Sequence, residues 1–279
     1  MMRALWTAAS GMKAQQTSMD TLSNNLSNIN TTGYKKETTR FQSLLYQNIQ
    51  KKTTDSEGNQ KPIGAQVGLG VKVGSIATQF TQGSFTTTNA AFELYDMTFD
   101  FAVEGDGLFM VQKPDGTICY TRNGHFNLSK NTSGGWSLTT QEGYAVLDST
   151  GKEISFDKDV DTSKLRFDNY GGIGYVGDDG NALPLGINIG MAQFNNPNGL
   201  EKAGDSYYLA TDASGDARIE GDDAALKRSI VKNGYLEASN VQAVDEMVDM
   251  IVTQRAYEMN SKAIQAADDM LSQANQLKR

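Results

Sequence analysis

Alternating carboxylates near residue 160 are the first pattern in this 279-residue chain that could do chemistry. Asp157, Asp159 and Asp161 occupy alternate positions, and Asp168 stands twelfth when counted from Asp157. Oxygen ligands in this spacing are typical of a calcium-binding loop, but Thr162 stands where that loop needs glycine. No helical pattern flanks the segment. We therefore favour a solvated turn between strands over a calcium site.

The residues that could support hydrolysis lack a nucleophile. His125 is the single histidine, and neither Asp115 nor Asp106 completes a recognisable triad with it, because the sequence has no Gly-x-Ser-x-Gly elbow. The acidic pairs at 178–179 and 222–223 lie among glycine, asparagine and alanine, which indicates solubilising charge and not a glycosidase pair. We expect His125 on an exposed hairpin, and we predict that the chain is not an enzyme.

Charge and composition exclude further classes of ligand. The formal net charge is −8, which argues against nucleic-acid binding. Cys119 is the single cysteine, so the chain can form no intramolecular disulfide and no multi-cysteine metal site, and its apolar neighbours place it on a strand. The glycine pairs within 68–70 and 105–107 open no helix and carry no phosphate-loop lysine. We predict no cofactor and no metal.

Arg255 and Glu258 are a charged pair that could act between molecules. They stand three residues apart in a helical pattern, with Asn260 and Lys262 close by. One interpretation is an exposed intrahelical ion pair worth about 0.2–0.5 kcal/mol. The other is a contact between subunits, where exclusion of water would increase its weight. We favour the second interpretation.

The two ends of the chain have the periodicity of long helices. At the N-terminal end, two columns recur every seven residues: Leu5, Met12, Met19 and Leu26, and then Ala8, Gln15, Leu22 and Ile29. This is the pattern of a helix that packs along a seam, and Ser, Thr, Asn and Gln occupy the face that is normally charged. The segment 30–33 then reads as a helix stop, with Gly33 able to take a positive φ.

The C-terminal end begins with a predicted capping box at 239–242, in which Ser239 would satisfy free backbone N–H groups. An apolar face and further heptad columns follow it. The predicted subunit interface of both helices consists of Leu5, Met12, Met19, Leu22, Leu26, Ile29, Val244, Val248, Ile251, Arg255, Glu258, Met259, Ile264, Met270 and Leu271.

The middle of the chain has the pattern of an all-β domain. Short alternating apolar runs are separated by turn residues, and Asp115-Gly116 and Asn123-Gly124 are hairpin signals. The predicted strands lie at 101–103, 108–111, 117–121, 143–147, 165–167, 187–189 and 191–194. The fold class is therefore α+β, with long N- and C-terminal helices that form a coiled-coil-like pair and a mainly antiparallel β domain between them.

The predicted organisation has four parts. Residues 1–34 form the N-terminal helix, 35–70 an extended arm or linker, 71–235 the β-rich outer domain and 236–279 the C-terminal helix. Two helices alone cannot cover so broad an apolar surface, and an uncovered apolar patch usually marks an interaction site. Head-to-tail contacts that do not close into a ring produce filaments, so we predict self-assembly into a tube or fibre. No apolar run approaches 18 residues, and we expect neither membrane insertion nor a cleaved signal peptide.

The terminal segments resemble one family of bacterial proteins closely. The similarity lies in Leu-Trp-Thr-Ala-Ala-Ser-Gly-Met at 5–12, in Ser23 to Lys35, in Gly234 to Val241, and in the runs 247–251 and 254–262. These strings resemble the rod and hook family of flagellar axial proteins. Within it, the opening residues 2–7 and the arm from Tyr46 to Val71 are most similar to distal-rod members. Residues 90–97 look like an insertion relative to the family.

The resemblance implies a structural subunit of the bacterial flagellar basal body, outside the cytoplasmic membrane and in the periplasm if the host has an outer membrane. Family members leave the cell through the type III export channel and assemble by their terminal helices into a tube that transmits torque from motor to hook. The implied partners are further copies, neighbouring rod and hook subunits and surrounding ring proteins. The alternatives are a proximal-rod or hook-like subunit, and a β-domain binding module or hydrolase with oligomerising helices.

Overall fold

The computed structural model describes residues 2–50, 65–88, 98–131, 134–157, 164–176, 182–221 and 226–277. These residues fall into two compact units, each assembled from separate stretches of sequence. The first unit takes its residues from Met1–Ser27, Glu37–Thr78 and Gln242–Arg279, and the second from Asn28–Lys36 and Gln79–Val241. The four-part division of the sequence stays a prediction. The insertion at 90–97 and the polar arm at 51–61 lie outside the described residues.

Two helices at the ends of the chain dominate the first unit, and both are confirmed predictions. Helix α1 spans Met2–Ser27 and helix α2 spans Ala243–Gln276. With 34 residues, α2 is about 51 Å long. Hydroxyl groups on the uncharged face of α1 bond back into the helix: the Thr17 and Ser27 hydroxyls donate to the carbonyls four residues earlier. The side chains that replace the usual charges are therefore satisfied locally.

The predicted capping box at the start of α2 is wrong. Ser239 Oγ accepts a hydrogen bond from the Val241 N–H at 3.3 Å, within the chain that precedes the helix. The residue at the N-cap position is Gln242, and its side chain caps nothing. The box fails because α2 begins too late for the Ser239 hydroxyl to reach its first turn. Asp245 and Glu246 in that turn instead offset the positive end of the helix dipole.

Two antiparallel ribbons complete the first unit. Strand β1 (Glu37–Ser43) pairs with β4 (Val71–Thr78), and β2 (Tyr46–Gln50) pairs with β3 (Ala65–Gly68). A two-stranded ribbon alone is only marginally stable in water. The β1/β4 ribbon lies against α1, and the Val71 N–H donates to the hydroxyl of Ser10. The helix therefore supplies the support that the ribbon lacks.

The second unit is the predicted antiparallel β domain. Its strands are β5 (Phe85–Thr87), β6 (Thr98–Glu104), β7 (Leu108–Gln112), β8 (Ile118–Thr121), β9 (His125–Lys130), β10 (Trp136–Thr140), β11 (Ala145–Val146), β12 (Ser155–Phe156), β13 (Leu165–Phe167), β14 (Gly172–Val176), β15 (Ala182–Asn188), β16 (Met191–Gln193), β17 (Glu201–Gly204), β18 (Tyr207–Leu209), β19 (Arg218–Ile219), β20 (Ile230–Asn233) and β21 (Tyr235–Glu237). A short 3-10 helix spans Pro197–Gly199.

One sheet of twelve strands organises this unit. Its path is β17-β18-β8-β7-β11-β10-β9-β6-β20, with β12 on β10 and β16 on β7 and β19. A three-stranded sheet β13-β14-β15 and the pair β21-β5 accompany it. Strand β7 is buried on both faces: Phe109 and Val111 belong to one apolar cluster, while Leu108 and Met110 belong to a second. The alternation expected of a strand therefore places β7 between two cores.

The two hairpin signals have different outcomes. Asp115-Gly116 forms the turn between β7 and β8, and Gly116 has a φ of +85° as such a turn requires. The prediction for Asn123-Gly124 is wrong, because β8 pairs with β7 and β18 whereas β9 pairs with β10 and β6. A Cβ at Gly124 would lie 1.9 Å from the carbonyl oxygen of Phe101. Glycine at position 124 thus allows the close approach of the Phe101 backbone and does not form a hairpin turn.

Cys119 provides a test of the β-domain core. The residue is fully buried on β8, and burial raises the pKa of its thiol above the ordinary value. Both effects suppress the reactive thiolate, so labelling by a thiol reagent in native buffer should be orders of magnitude slower than labelling of the urea-unfolded chain. Labelling at a free-cysteine rate in native buffer would show that the sheet around Cys119 is open.

Candidate assembly surface

The side chain of Asn25 joins three elements of the first unit. Its Nδ2 donates to the carboxylate of Glu246 in α2 at 3.0 Å and to the carbonyl of Glu37 in β1 at 2.8 Å. Its Oδ1 accepts the Glu37 N–H at 2.9 Å. Both Asn25 and Glu246 are completely buried. A buried carboxylate needs such partners, because loss of water otherwise carries a large cost.

A second contact defines the relative direction of the two helices. A Cβ built on Gly11 would lie 2.9 Å from Nδ2 of Asn260, so α2 passes close to the α1 backbone there. The contacts Asn25–Glu246 and Gly11–Asn260 are fourteen residues apart on each helix and run in opposite directions. The helices are therefore antiparallel. We call these two contacts the polar seam.

Large apolar side chains of α2 lie away from the polar seam. The buried residues of α2 are Glu246, Thr253 and Ala267, which recur at multiples of seven residues and belong to the seam side. On the opposite side, six large apolar side chains are each more than half exposed: Val244, Val248, Ile251, Val252, Met259 and Met270. We call these six residues the outer face of α2. Exposed apolar surface of this kind usually marks an interaction site.

The predicted interface residues are distributed unevenly. Of those on α2, Val244, Val248, Ile251, Met259 and Met270 belong to the outer face, and Ile264 and Leu271 are half-buried. In the N-terminal set, Leu5, Met12, Met19, Leu26 and Ile29 are half-buried and Leu22 is buried. The heptad column of Leu5 thus keeps part of its surface exposed, whereas small residues such as Ala8, Gly11 and Ala14 are buried on α1. The role of all fifteen residues in contacts between subunits stays a prediction.

Sequence reasoning missed several exposed apolar residues of the same unit. Trp6, Met247 and Val252 lie on the helices, and Ile49 lies on strand β2. The helical ones stand outside the strict heptad columns, so a search for exposed apolar positions at any spacing would have found them.

Arg255 and Glu258 form an ion pair within α2. Arg255 Nη1 lies 2.8 Å from Glu258 Oε2, and the Arg255 side chain is 72% exposed. This geometry is the intrahelical interpretation, and an exposed pair of this spacing contributes little to stability. The exposure also leaves the guanidinium available to a neighbouring molecule, so the contact between subunits stays a prediction.

The second unit contains a buried cluster of three charges. Glu237 accepts from Lys35 Nζ at 2.5 Å and from Arg122 Nη1 at 3.2 Å, and all three side chains are excluded from solvent. The Gly83 N–H donates to the same carboxylate. Burial lowers the pKa of Lys35 below its ordinary value, while Glu237 opposes that shift. The arrangement holds two cations around one anion.

Residues near this cluster are those that carried the family resemblance. Asn240 accepts the Lys36 N–H at 2.7 Å and donates to the carbonyl of Gln79 at 2.8 Å. Gly33 has a φ of +70°, as predicted, and a Cβ there would lie 2.6 Å from the Asn123 backbone nitrogen. These strings therefore join segments that are distant in sequence into one unit.

The residues considered for chemistry have other partners. His125 Nδ1 lies 2.5 Å from Oδ1 of the buried Asp100 and its side chain is only 26% exposed, so the prediction of an exposed hairpin histidine is wrong. Asp100 could not be recognised from local pattern, because its pairing with His125 depends on the register of β6 against β9. Asp168 accepts the N–H groups of Tyr170 and Gly172 in a turn.

The carboxylates at 159–161, 178–179 and 222–223 lie outside the described residues. In the part of the chain that the structure describes, no group of three or more His, Cys, Asp or Glu side chains is placed to hold a metal ion. Within the same residues, neither helix is apolar enough over a sufficient length to cross a membrane.

Comparison with known proteins points to one family. Three family models match, described as "Flagella basal body rod protein" over residues 5–35, "Flagellar hook protein FlgE/F/G D1 domain" over 102–175 and "Flagellar basal body rod FlgEFG protein C-terminal" over 232–277. The chain is 42% identical over 281 residues to the flagellar basal-body rod protein FlgG of Borreliella burgdorferi, covering 100% of both chains. It is 41% identical over 281 residues to the protein of the same name from Caulobacter vibrioides, covering 99% of this chain and 100% of that one.

Among solved structures, the crystal structure of the Helicobacter pylori flagellar hook protein FlgE2 matches with a TM-score of 0.24 and 13% identity. The match covers 64% of this chain and 46% of that chain. A likeness this weak does not establish a shared fold.

The charge cluster predicts unequal effects of its members on stability. Replacing Glu237 by Gln leaves two buried cations without their anion and should lower the free energy of unfolding by about 3–5 kcal/mol. Replacing Lys35 by Met leaves an Arg–Glu pair and should cost less, about 1–3 kcal/mol, because the Thr81 carbonyl loses the Lys35 donor but keeps the one from Asn240. Urea titration of each variant measures both values.

Glu104→Gln serves as the matched control for Glu237→Gln. It removes the anion of an ion pair with Lys232 that is similar in length but substantially exposed. The expected loss is below about 1 kcal/mol. Equal losses for Glu237→Gln and Glu104→Gln would contradict the role given to the buried cluster.

Proposed function

This chain belongs to the family of flagellar basal-body rod proteins, and we propose that it is a structural subunit of the distal rod that polymerises through its terminal helices into a tube. Membership of the family places the protein in the flagellar basal body, outside the cytoplasmic membrane, where it assembles with other axial subunits. In the proposal, the tube transmits torque from the motor to the hook and lets exported subunits pass through its lumen.

The outer face of α2 is the observation that carries the proposal. Six large apolar side chains are exposed on one helix, although the same helix buries glutamate and threonine. Burial of one such side chain contributes about 1.5–3 kcal/mol, so leaving all six in water forgoes a large stabilisation. A neighbouring subunit that covers this face would recover it. This is the arrangement expected of a helix that packs against more than one other helix.

The shape of the assembly follows from the use of different surfaces. The exposed apolar residues of α2 form one surface, and those of α1 and of the ribbon around Tyr46 form others with different residues. Contacts between unlike surfaces of identical subunits are head-to-tail, and such contacts generate helices when they do not close. In the proposal, the terminal helices form an inner tube with coiled-coil-like contacts between subunits as well as within one, and the β unit forms the outside.

The proposed distal position rests on the residues that set the distal-rod members apart from the rest of the family. The opening residues 2–7 and the arm from Tyr46 to Val71 match those members. Similarity to rod proteins over the whole chain supports the same assignment. In the proposal, the partners are further copies of this chain, adjacent rod and hook subunits and the ring proteins that surround the rod. Its named relatives are rod proteins, which supports a structural role without catalysis.

Replacing both Val248 and Ile251 by Asp should abolish tube formation. Each substitution would place a carboxylate in an apolar contact, which costs several kcal/mol per buried charge. The purified chain at high concentration should sediment as polymer and show straight tubes in electron micrographs, while the double variant should stay in the supernatant. Leu183→Asp, on exposed β15, is the matched control and should polymerise like the parent.

The micrographs also separate the alternatives within the family. Curved tubes from the parent chain would favour a hook-like subunit. Normal tubes from the Val248→Asp/Ile251→Asp variant would contradict the outer face of α2 as the assembly surface.

Arg255 tests the interpretation of the charged pair. If its guanidinium contacts a neighbouring subunit, Arg255→Ala should raise the concentration needed for polymerisation about tenfold or more while leaving thermal unfolding of the monomer unchanged. Asp249→Ala, another exposed charge on α2, is the control and should have no such effect. If the Arg255 variant polymerises like the parent, the contact between subunits is contradicted and Arg255 forms only the intrahelical ion pair with Glu258.

A further inference from the structure

The apolar repeat of α1 does not by itself define one alignment with α2. Leu5, Met12, Met19 and Leu26 place an apolar residue of similar size in every heptad. A slip of α2 by seven residues relative to α1 would therefore present the same apolar pattern one heptad further along. Repeats of this kind leave the register of a helix pair ambiguous.

The polar seam differs from the apolar repeat because its residues occur once. The seam positions of α2 in successive heptads are Glu246, Thr253, Asn260 and Ala267, which are four different residue types. In the observed register, the Glu246 carboxylate meets the Asn25 amide. A slip of one heptad in one direction would place Glu246 opposite Ser18. A slip in the other direction would place it beyond the end of α1 at Ser27.

Either slip would separate the buried carboxylate from its amide donor. Loss of a hydrogen-bond donor to a buried carboxylate is destabilising. Asn25 also binds both backbone groups of Glu37, so it anchors α1 to the β1/β4 ribbon at the same point. The register of α2 is thereby tied to a position that cannot move along the heptads.

We propose that Asn25 and Glu246 are the register-determining residues of the antiparallel helix pair, and that the Gly11–Asn260 contact is a consequence of the register they select. Their hydrogen bond forms in the observed alignment, and every other alignment loses it. The register decides where along α1 each residue of α2 lies. The register therefore also fixes the position of the outer face of α2 in each subunit. Its consequence for assembly rests on the proposed function.

Cysteine cross-linking in the full-length chain tests the register directly. In a Cys119→Ala background, the pair Gly11→Cys/Asn260→Cys reports the observed register, because these positions are in contact. The pairs Gly11→Cys/Thr253→Cys and Gly11→Cys/Ala267→Cys report slips of one heptad in the two directions, and each carries Asn260→Ala to remove the side chain that a Cβ at position 11 would meet. With Asn25 and Glu246 intact, only the first pair should form a disulfide under mild oxidation.

Replacing Asn25 and Glu246 together by Leu should release the register. Removing both polar partners avoids an unpaired buried charge, so the helices should remain paired. At least one slipped cross-link should then rise about tenfold or more relative to the observed one, which corresponds to about 1.4 kcal/mol of lost register preference. Thr17→Leu/Asp249→Leu, which adds the same apolar groups on the same helices away from the seam, should give the observed cross-link alone.

A third variant guards against a general loss of structure. Glu246→Gln keeps the shape of the side chain and an oxygen that accepts from Asn25, so it should retain the observed cross-link without the slipped ones. The proposal is overturned if the Leu/Leu variant still gives only the observed cross-link, or if the intact chain gives slipped ones. These readouts need no polymer, so failure of tube formation would count against the proposed function and not against the register.

Discussion

The structure of the helical unit depends on how its two helices meet. They contact each other through small and polar side chains, at Gly11 and Asn25 on α1 and at Asn260 and Glu246 on α2. Gly11 lets the helices approach closely, and Asn25 compensates the buried carboxylate. Because this side of α2 is occupied by glutamate, threonine and alanine, its large apolar side chains remain outside. The contact that stabilises one subunit therefore leaves the surface that a second subunit can cover.

The β unit depends on a different kind of buried polar contact. Lys35 follows α1 in the sequence and Glu237 precedes α2, and the buried carboxylate of Glu237 binds both Lys35 and Arg122. Hydrogen bonds of Asn240 reinforce the same region. The residues that carried the family resemblance thus have a clear structural role in this unit.

Local patterns explain which parts of the fold were predictable. Heptad columns predicted both helices, and alternation predicted the strands around Leu108 and Cys119, because these signals depend on residues close in sequence. The capping box at Ser239 was wrong because α2 begins only at Ala243, and the hairpin at Asn123-Gly124 was wrong because β8 and β9 pair with other strands. The pairing of His125 with Asp100 was missed for the same reason: it depends on which strand becomes the neighbour of β9.

The candidate assembly surface divides in the same way. The sequence by itself determined two long helices, of which the first is poor in charge, an antiparallel β domain and membership of the rod family, because periodicity and characteristic strings are properties of the chain. Only the tertiary structure decided that Glu246 and Asn25 lie inside the helix pair while Val248 and Ile251 lie outside it. A heptad repeat states which residues share a side of a helix, but the direction and register of the neighbouring helix select the side that is buried.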